Sequence, residues 1–218
     1  MYKLVIDLEM AAKALVDRNL DHPYIKEIVQ IGAVLLDNDD NQVCTFETLV
    51  KPRFCKMTKI LEDLTGIKEE MLTDAPYFEK AIQDLMNIIP KNEEVLLCTW
   101  SDSDTLAISR EIEVKGINNK ELQNLCDNYF DIQKEFSKKL NFEHILNLEK
   151  ALNLVGIDFE GRAHGALADA INTAKIYTSM QRDEVVKEHI SDISSMMKGE
   201  PLTSSLGSLF DFSKLNLD

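Results

Sequence analysis

Five side chains, in three separate stretches of the sequence, have types and spacings suited to chemistry. Asp7 and Glu9 lie in "VIDLE", Asp104 lies in "TWSDSDTL", and His164 and Asp169 lie in "GRAHGALADA". Carboxylate oxygens are the ligands that hard divalent cations such as Mg²⁺ prefer. A histidine is the side chain whose charge changes closest to neutral pH, so it is suited to accept a proton beside them. These residues indicate a site that binds two divalent cations and moves a proton.

Each of these residues also has a simpler interpretation. An acid pair at a strand end, such as Asp7 and Glu9, is more often part of a turn or a solvated edge than of a metal site. Asp102 and Asp104 are also suited to capping a helix and to favouring its dipole. A histidine that precedes a helix is usually on the surface. The metal site is favoured because all five residues occur in order on one α/β pattern.

The strands that must position the acids are predicted from short apolar or alternating runs. Asp7 and Glu9 are two residues apart at the end of the first predicted strand, so both side chains project from the same face. The second and third strands are joined by the acidic loop "DNDDN" and are expected to form a hairpin. The five strands are predicted at residues 2–7, 27–37, 42–50, 94–100 and 120–127.

The helices are predicted from apolar residues at helical spacing. Asp74 is expected to cap one helix, with Pro76 in its first turn, and Gly66 and Gly116 to end two others. Asp104 and Asp169 fall in the first turns of their helices. The order of strands and helices predicts an α/β fold with a mixed sheet and helices on both faces. The helices are predicted at residues 58–67, 74–89, 101–116, 131–139, 147–154, 166–180 and 183–197.

The composition predicts one globular domain with a short appendage. The chain has 218 residues, of which 44% are hydrophobic and 28% charged. We expect a domain over residues 1–182 and a C-terminal helix and tail over residues 183–218. No apolar run approaches the roughly 20 residues that span a bilayer, and "MYKLVIDLEM" does not have the pattern of a signal peptide. We therefore expect a cytoplasmic protein with no membrane contact and with four reduced cysteines.

The charge of the chain bears on its partners. A net charge of −14 is expected to repel nucleic acid, because phosphate binding normally depends on Lys and Arg. Divalent cations that bridge the acids and the phosphates remove this objection. A nucleic-acid partner is therefore expected only together with the metal site.

The motifs together resemble those of a known family. Over residues 3–180 the chain resembles the DnaQ-like, or DEDDh, 3′-5′ exonucleases of the RNase H-like superfamily. The stretches "LLCTW", "LCDNYFDIQKEF" and "FEGRAHGALADA" look closest to the branch that contains histone-mRNA 3′-end exonucleases and sporulation-inhibitor-type proteins. The motifs that carry the resemblance occur in the family's order and spacing: "VIDLE", "EIVQIGAV", "LTGI", "DAPYFEKAIQDLM", "TWSDSDTL" and "GRAHGALADAINTAKIY".

The resemblance implies a fold, an activity and a role for each site residue. The fold is a mixed five-stranded RNase H-like sheet whose first three strands are antiparallel. The activity is hydrolysis of the terminal phosphodiester of single-stranded RNA or DNA with a free 3′ end, which releases nucleoside 5′-monophosphates. His164 acts as the general base. Asp104 is preferred to Asp102 because the pattern places the acid four residues after Trp100. Two Mg²⁺ or Mn²⁺ ions are bound by four acids: Asp7, Glu9, Asp104 and Asp169.

The resemblance also implies where the substrate binds. Many relatives carry a threonine or a bulky aromatic residue directly after the second acid, whereas this chain has Met10 and Ala11, so polar contacts to the 3′ end differ. Residues 10–26 are expected to form a loop on the substrate side, with Arg18, Tyr24 and Lys26 as phosphate or base contacts. The residues expected to contact the terminal nucleotide are Leu8, Met10, Ala11 and Trp100.

Two other functions and one further partner stay open at this level. A protein with this fold can act as an inhibitor or adaptor through protein contacts, although the complete set of acids argues against that use. A proofreading exonuclease would work with a separate polymerase. The sequence does not choose between RNA and DNA. The Leu- and Phe-rich residues 199–218 are expected to pack back on the domain or on a second copy, or to dock to a protein partner. Truncation after Lys198 should leave nuclease activity largely intact, because every proposed catalytic residue lies upstream.

Overall fold

The computed structural model describes residues 1–12, 26–140, 142 and 145–182. The predicted helix at 183–197, the tail at 199–218 and the candidate contacts Arg18 and Tyr24 lie outside the described residues. The described chain contains a five-stranded sheet in the order β3-β2-β1-β4-β5. The strands are β1 (Tyr2–Ala12), β2 (Lys26–Leu36), β3 (Gln42–Leu49), β4 (Val95–Thr99) and β5 (Phe130–Asp131).

The sheet is mixed, as the resemblance predicted. β1 pairs antiparallel with β2, and β2 pairs antiparallel with β3, so the first three strands form an antiparallel meander. β4 then pairs parallel with β1 and with β5. Because β1 and β4 are parallel and their pairing ends at Ile6 and Thr99, the residues that follow β4 lie beside Asp7 and Glu9 in the middle of β1. The acids of these two segments are therefore brought to one place.

Helices cover both faces of the sheet. Alternate residues of β1 point to opposite faces: Ile6 lies in one buried cluster with Phe78 and Ile108, and Val5 lies in the other with Phe136. The first cluster is covered by α2, α3 and α4, and the second by α5, α6 and α7. The helices are α1 (Lys59–Thr65), α2 (Phe78–Asn87), α3 (Asp102–Lys115), α4 (Lys120–Asp127), α5 (Ile132–Lys139), α6 (Leu148–Leu154) and α7 (Ala166–Gln181), with a short 3₁₀ helix at Glu69–Leu72.

The strand predicted at residues 120–127 is wrong, because this segment is helix α4. Its buried residues Leu122, Leu125 and Cys126 are spaced by three and four positions, which places them on one helical face. The Asn119 side chain caps the helix by accepting a hydrogen bond from Leu122 N at 3.0 Å. The fifth strand is instead the two-residue β5, which pairs with the end of β4.

The start predicted for the second helix is also wrong. The helix begins at Phe78, with Tyr77 at the N-cap, so neither Asp74 nor Pro76 has the expected role. Lys51 N donates to Pro76 O at 2.8 Å, and Lys51 forms a β-bridge with Tyr77. This pairing holds the residues before the helix in an extended conformation, which also suits the residue preceding a proline.

The helix ends predicted at two glycines are confirmed. Gly66 and Gly116 both adopt the left-handed conformation, with φ of 79° and 62°. Ser101 caps α3, because its side chain accepts a hydrogen bond from Ser103 N. Within the described ranges, no helix is both long enough and apolar enough to span a bilayer.

Candidate active site

The centre of β1 forms the floor of the candidate site. Asp7 is paired with Gly32 on β2, and Glu9 with Gln30. The β1–β4 pairing ends at Ile6 and Thr99, so β4 stops just before the level of Asp7. The chain then enters α3 at Asp102. This short connection brings the first turn of α3 over the end of β1.

Asp104 is therefore buried against β1. Its side chain is 4% exposed, and its carboxylate accepts a hydrogen bond from the backbone of Leu8. Asp102, two residues earlier, is 55% exposed at its side chain and lies 3.7 Å from Lys134 Nζ. The structure thus separates the two acids, because Asp104 is buried against β1 and Asp102 is exposed to solvent.

The start of α7 packs directly on β2. Gly32 has no side chain at the contact, and a Cβ there would overlap the backbone of Ala166 and Leu167. Ala166 N donates to Gln30 Oε1 at 3.1 Å. This close approach places the residues before and within the first turn of α7 beside the acids of β1. A glycine inside a strand commonly marks such an approach of another backbone.

His164 and Asp169 meet at this end of α7. His164 N donates to Asp169 Oδ2 at 3.1 Å. One ligand atom each of Glu9, His164 and Asp169 lies within 4.8 Å of the others. Asp7 lies close enough to Asp104, Asp169 and Glu9 for their charges to act on it. The five residues predicted from the sequence are therefore brought together.

The acids raise one another's pKa. Burial, followed by the charges of Asp169 and Asp104, raises the pKa of Glu9 to about 8. Burial, followed by the charges of Asp104, Asp169 and Glu9, raises the pKa of Asp7 well above its ordinary value. Burial raises the pKa of Asp104 to about 7 against the hydrogen bond from Leu8. Four acids in one buried place repel one another unless a positive charge lies among them.

The donor set fits divalent cations. Burial raises the pKa of Asp169 to about 6, although the charge and the backbone N–H of His164 partly oppose this. The ion pairs found within the described ranges all lie elsewhere, so no lysine or arginine there neutralises the four carboxylates. Carboxylates that are close together, buried and without a cationic side chain are suited to hard cations such as Mg²⁺.

The residues predicted to contact the substrate border the site but are largely packed. Leu8 is 5% exposed, and its side chain lies in the same core as Ile6. Met10 is half-buried against that core, and Ala11 is buried. Trp100 is half-buried, with its ring 6.5 Å from the ring of Phe136. Contact between a nucleotide and these four residues stays a prediction.

Three functional candidates were missed by the sequence interpretation. Gln30 joins α7 to the sheet and also donates from Nε2 to Glu47 Oε1 at 2.9 Å. Gly32 permits the close approach of α7. Arg162 donates to backbone carbonyls at the end of α1. The signals were a polar residue and a glycine inside the buried run "EIVQIGAV", and an arginine two residues before the histidine.

Comparisons with known proteins agree with this geometry. Residues 4–177 match the RNase_T family, which is described as Exonuclease. ERI1 exoribonuclease 2 of Homo sapiens is 30% identical over 209 residues. That match covers 85% of this chain but 29% of the human protein, so the chain spans less than a third of this relative.

Two solved structures show the same fold. The nuclease domain of 3′hExo, described as a DEDDh family member bound to rAMP, has a TM-score of 0.68 at 21% identity. The match covers 85% of this chain and 94% of that domain. A 3′-exonuclease described in 3′-end specific recognition of a histone mRNA stem-loop has a TM-score of 0.70 at 18% identity, over 85% of this chain and 65% of that one.

The RNase H-like sheet and the resemblance to DnaQ-like exonucleases of the histone-mRNA branch are thereby confirmed. The family match covers most of the chain and includes the four acids and His164. This protein therefore belongs to the RNase_T exonuclease family.

Proposed function

We propose that this protein is a metal-dependent 3′-5′ exonuclease that acts on single-stranded nucleic acid. It hydrolyses the terminal phosphodiester and releases a nucleoside 5′-monophosphate. The observation that carries the proposal is the convergence of four acids and His164 at the centre of β1. RNA is the better supported substrate, because the human relative is an exoribonuclease and the 3′hExo domain is bound to rAMP.

The four acids are proposed to hold the catalytic cations, since this exonuclease family depends on divalent metal. When bound by Asp7, Glu9, Asp104 and Asp169, two Mg²⁺ or Mn²⁺ ions would lower the pKa of the attacking water and stabilise the leaving 3′ oxygen. The raised pKa values of the acids support this role, because cations favour the ionised carboxylates that their mutual repulsion disfavours. Leu8 assists by donating its backbone hydrogen bond to Asp104.

His164 is proposed to accept the proton of the attacking water at a ring nitrogen. The backbone N–H of His164 is held by Asp169, so the ring stays beside Glu9. His164 also lies close enough to Glu9 and Asp169 to bind a metal ion itself. We assign it the role of base because a neutral imidazole has a ring nitrogen that can accept a proton.

Two exposed lysines are proposed to guide the rest of the strand. Ala12 is the last residue of β1, three positions after Glu9, which corresponds to about 10 Å along a strand. Ala12 is paired with Lys26 on one side and bridged to Lys56 on the other. Both lysines are exposed. In a chain with an excess of acids, this pair offers phosphate contacts immediately beyond the catalytic centre.

The test is an assay of purified protein with Mn²⁺ on 3′- and 5′-labelled single-stranded RNA and DNA. From the 3′-labelled strand, the label should be released as a mononucleotide. The 5′-labelled strand should become shorter by one nucleotide at a time. Asp104→Asn should lower the rate by orders of magnitude, because it removes a metal ligand. Asp102→Asn is the matched control and should stay near the wild-type rate, since Asp102 faces solvent.

Four outcomes would contradict the proposal. Release of internal fragments would indicate an endonuclease. A wild-type protein that folds and binds metal but shows no turnover would favour the inhibitor or adaptor function. Equal loss of activity in both asparagine variants would remove the assignment of Asp104 as the ligand, and a strict preference for mismatched DNA 3′ ends would favour proofreading.

A further inference from the structure

The loop that carries His164 has an unfavourable backbone conformation. His164 has φ of 62°, and Gly161, three residues earlier, has φ of 87°. A left-handed conformation is uncommon for a residue with a side chain, and it costs free energy that the surroundings must offset. The position of the imidazole therefore depends on the contacts that hold residues 161–165.

Both ends of this loop are fixed by side chains of the scaffold. At the beginning, Glu160 N donates to Asn172 Oδ1 at 3.0 Å, and Asn172 Nδ2 donates to Glu160 O at 2.8 Å. At the other end, Ala166 N donates to Gln30 Oε1 at 3.1 Å. Asn172 is fully buried in α7. These bonds fix where the loop starts and ends, and between them His164 N donates to Asp169 Oδ2 at 3.1 Å.

Arg162 joins the middle of the loop to α1. Its Nη2 atom donates to Asp63 O at 3.1 Å and to Leu64 O at 3.4 Å. Both carbonyls belong to the last turn of α1, where backbone oxygens lack a partner within the helix. A cation is also favoured at this end by the helix dipole. The guanidinium thus satisfies two acceptors that the helix itself leaves open.

Gly66 makes room for this contact. It is the left-handed cap of α1, a conformation that glycine adopts without strain. A Cβ at Gly66 would overlap the guanidinium group of Arg162. The two motifs "LTGI" and "GRAHG", which lie about 100 residues apart in the sequence, therefore meet in space. Neither Gly66 nor Arg162 belongs to the acid cluster.

The contact connects the loop of His164 to β1 through α1. The residues after α1, Ile67 and Leu72, pack in a small cluster with Ala11 of β1. Ala11 follows Glu9 by two residues on the same strand. A continuous set of contacts therefore leads from β1 through Ile67 and α1 to Arg162 and the loop.

We propose that Arg162 is a positioning residue for His164. By attaching the loop to the end of α1, Arg162 holds the imidazole beside Glu9 and Asp169 in the geometry that proton transfer requires. The effect on catalysis rests on the proposed function. The contact between Arg162 and α1 is independent of that function. An error of about 1 Å in the position of a catalytic group is enough to lower a rate by about 100-fold.

A direct phosphate contact is the competing role, because Arg162 is exposed and lies near the site. A lysine at position 162 distinguishes the two roles, because it could replace the arginine in one of them but not in the other. A lysine retains the charge that a phosphate needs, but it lacks the planar guanidinium group that lies over Gly66 while Nη2 donates to both carbonyls. Arg162→Lys should therefore behave like Arg162→Met if the residue positions the loop, and like the wild type if it binds phosphate.

The first experiment separates turnover from binding. The kcat on a short single-stranded oligonucleotide should fall by about 10- to 100-fold in Arg162→Met and Arg162→Lys, with KM nearly unchanged. In the His164→Ala background with Mn²⁺, adding Arg162→Met should leave oligonucleotide affinity and its salt dependence unchanged. A salt slope reduced by about 0.7 would mean a lost phosphate contact and would overturn the proposal. Arg182→Met, an exposed arginine at the end of α7, is the control and should change neither quantity.

The second experiment does not depend on nuclease activity. Hydrogen exchange of the His164 and Ala166 amide protons should become severalfold faster in Arg162→Met, while the unfolding midpoint changes little. In Arg182→Met these amides should exchange as in the wild type. Unchanged exchange in a folded Arg162→Met protein would overturn the positioning role. If the wild-type protein proved inactive, the exchange result would still decide whether Arg162 fixes the loop.

Discussion

The carboxyl group of Glu9 links the proposed metal site to pH. Glu9 is 7% exposed, and its pKa is raised to about 8 by burial and by the charges of Asp169 and Asp104. Near neutral pH without metal, the folded protein therefore retains protons on this cluster that the unfolded chain releases. In the proposed function, bound cations would replace those protons, so metal affinity would depend on pH.

The stability of the metal-free protein should therefore fall as pH rises. The ordinary pKa of a glutamate is 4.5, and that of Glu9 is about 8 in the folded protein. Between these values the folded state binds more protons than the unfolded state, so the free energy of unfolding decreases with increasing pH. Thermal unfolding in chelator should show a lower midpoint at about pH 8 than at about pH 5. Glu9→Gln should flatten this dependence, and Mg²⁺ should restore the midpoint at the higher pH. A midpoint that rises over this range would contradict the cluster's electrostatics.

The role of His164 makes a separate prediction. His164→Ala should lose about 100- to 10,000-fold in rate near neutral pH, the usual contribution of a general base. Cation binding, measured by titration calorimetry, should be retained, because the proposed ligands are the four acids. A loss of metal affinity as large as that of Asp7→Asn would show instead that His164 is a ligand.

The acid cluster was predicted from the order of its residues on one α/β pattern and from the family resemblance, but its supports were not predicted. Asp7, Glu9 and Asp169 each have a simpler interpretation alone, and their occurrence together indicated the site. Gln30 and Arg162 are not recognisable in this way. Their roles depend on which backbone groups happen to face them, Ala166 N and the α1 carbonyls, and those neighbours are distant in sequence.

At the scale of elements, prediction succeeded where the local pattern was strong. The hairpin of β2 and β3 and the glycine ends of α1 and α3 follow from alternation and from backbone preference. Segment 120–127 failed because eight residues contain few turns of either periodicity. The strand β5 has two residues and is defined by its pairing with Cys98 and Thr99, so no local signal indicates it.

The packing of α7 on β2 predicts how a methyl group added at Gly32 would affect stability and activity. In Gly32→Ala the added Cβ would overlap the backbone at the start of α7, which cannot move aside as a flexible side chain would. We expect a loss of about 1–3 kcal/mol in the free energy of unfolding. We also expect reduced activity per folded molecule, because α7 carries Asp169. Chemical denaturation and a nuclease assay on the folded fraction provide the two measurements.

The matched control is Gly116→Ala. A Cβ at Gly116 meets nothing within 4 Å, although the residue has φ of 62°. Its cost should be about 1–2 kcal/mol from backbone strain alone, with activity per folded molecule unchanged. If Gly32→Ala lowered stability but left activity at the wild-type level, the contact between β2 and α7 would not be what positions Asp169.

At the scale of the whole molecule, the proposed catalytic residues all lie in the part that matches the family. The match ends at residue 177, and the site residues lie between Asp7 and Asp169. Truncation after Lys198 should therefore leave the rate on short oligonucleotides close to that of the full chain. Gel filtration of both forms should show whether the removed residues support self-association. Loss of turnover in a folded truncated protein would mean that the tail contributes to substrate binding.

The net charge sets how a nucleic acid can approach. With 38 acidic and 24 basic residues, the chain cannot attract phosphates over long distances, so local cations must guide the strand. Lys26 and Lys56 flank Ala12 at the end of β1 nearest the acids. Lys91 is also exposed but lies just before β4, whose first residue pairs with Tyr2 at the opposite end of β1. It therefore provides a control of equal charge.

Each of the two flanking lysines should contribute one phosphate contact. For a single strand, log K falls with log salt concentration by about 0.7 per contact, so Lys26→Ala and Lys56→Ala should each reduce the slope by about that amount. Binding to an oligonucleotide with Mn²⁺ in the His164→Ala background, measured by fluorescence anisotropy over a range of salt concentrations, gives the slope. A dinucleotide substrate is too short to reach both lysines, so its turnover should change less than that of a long strand. Equal slopes for these variants and for Lys91→Ala would show that the strand leaves the site in another direction.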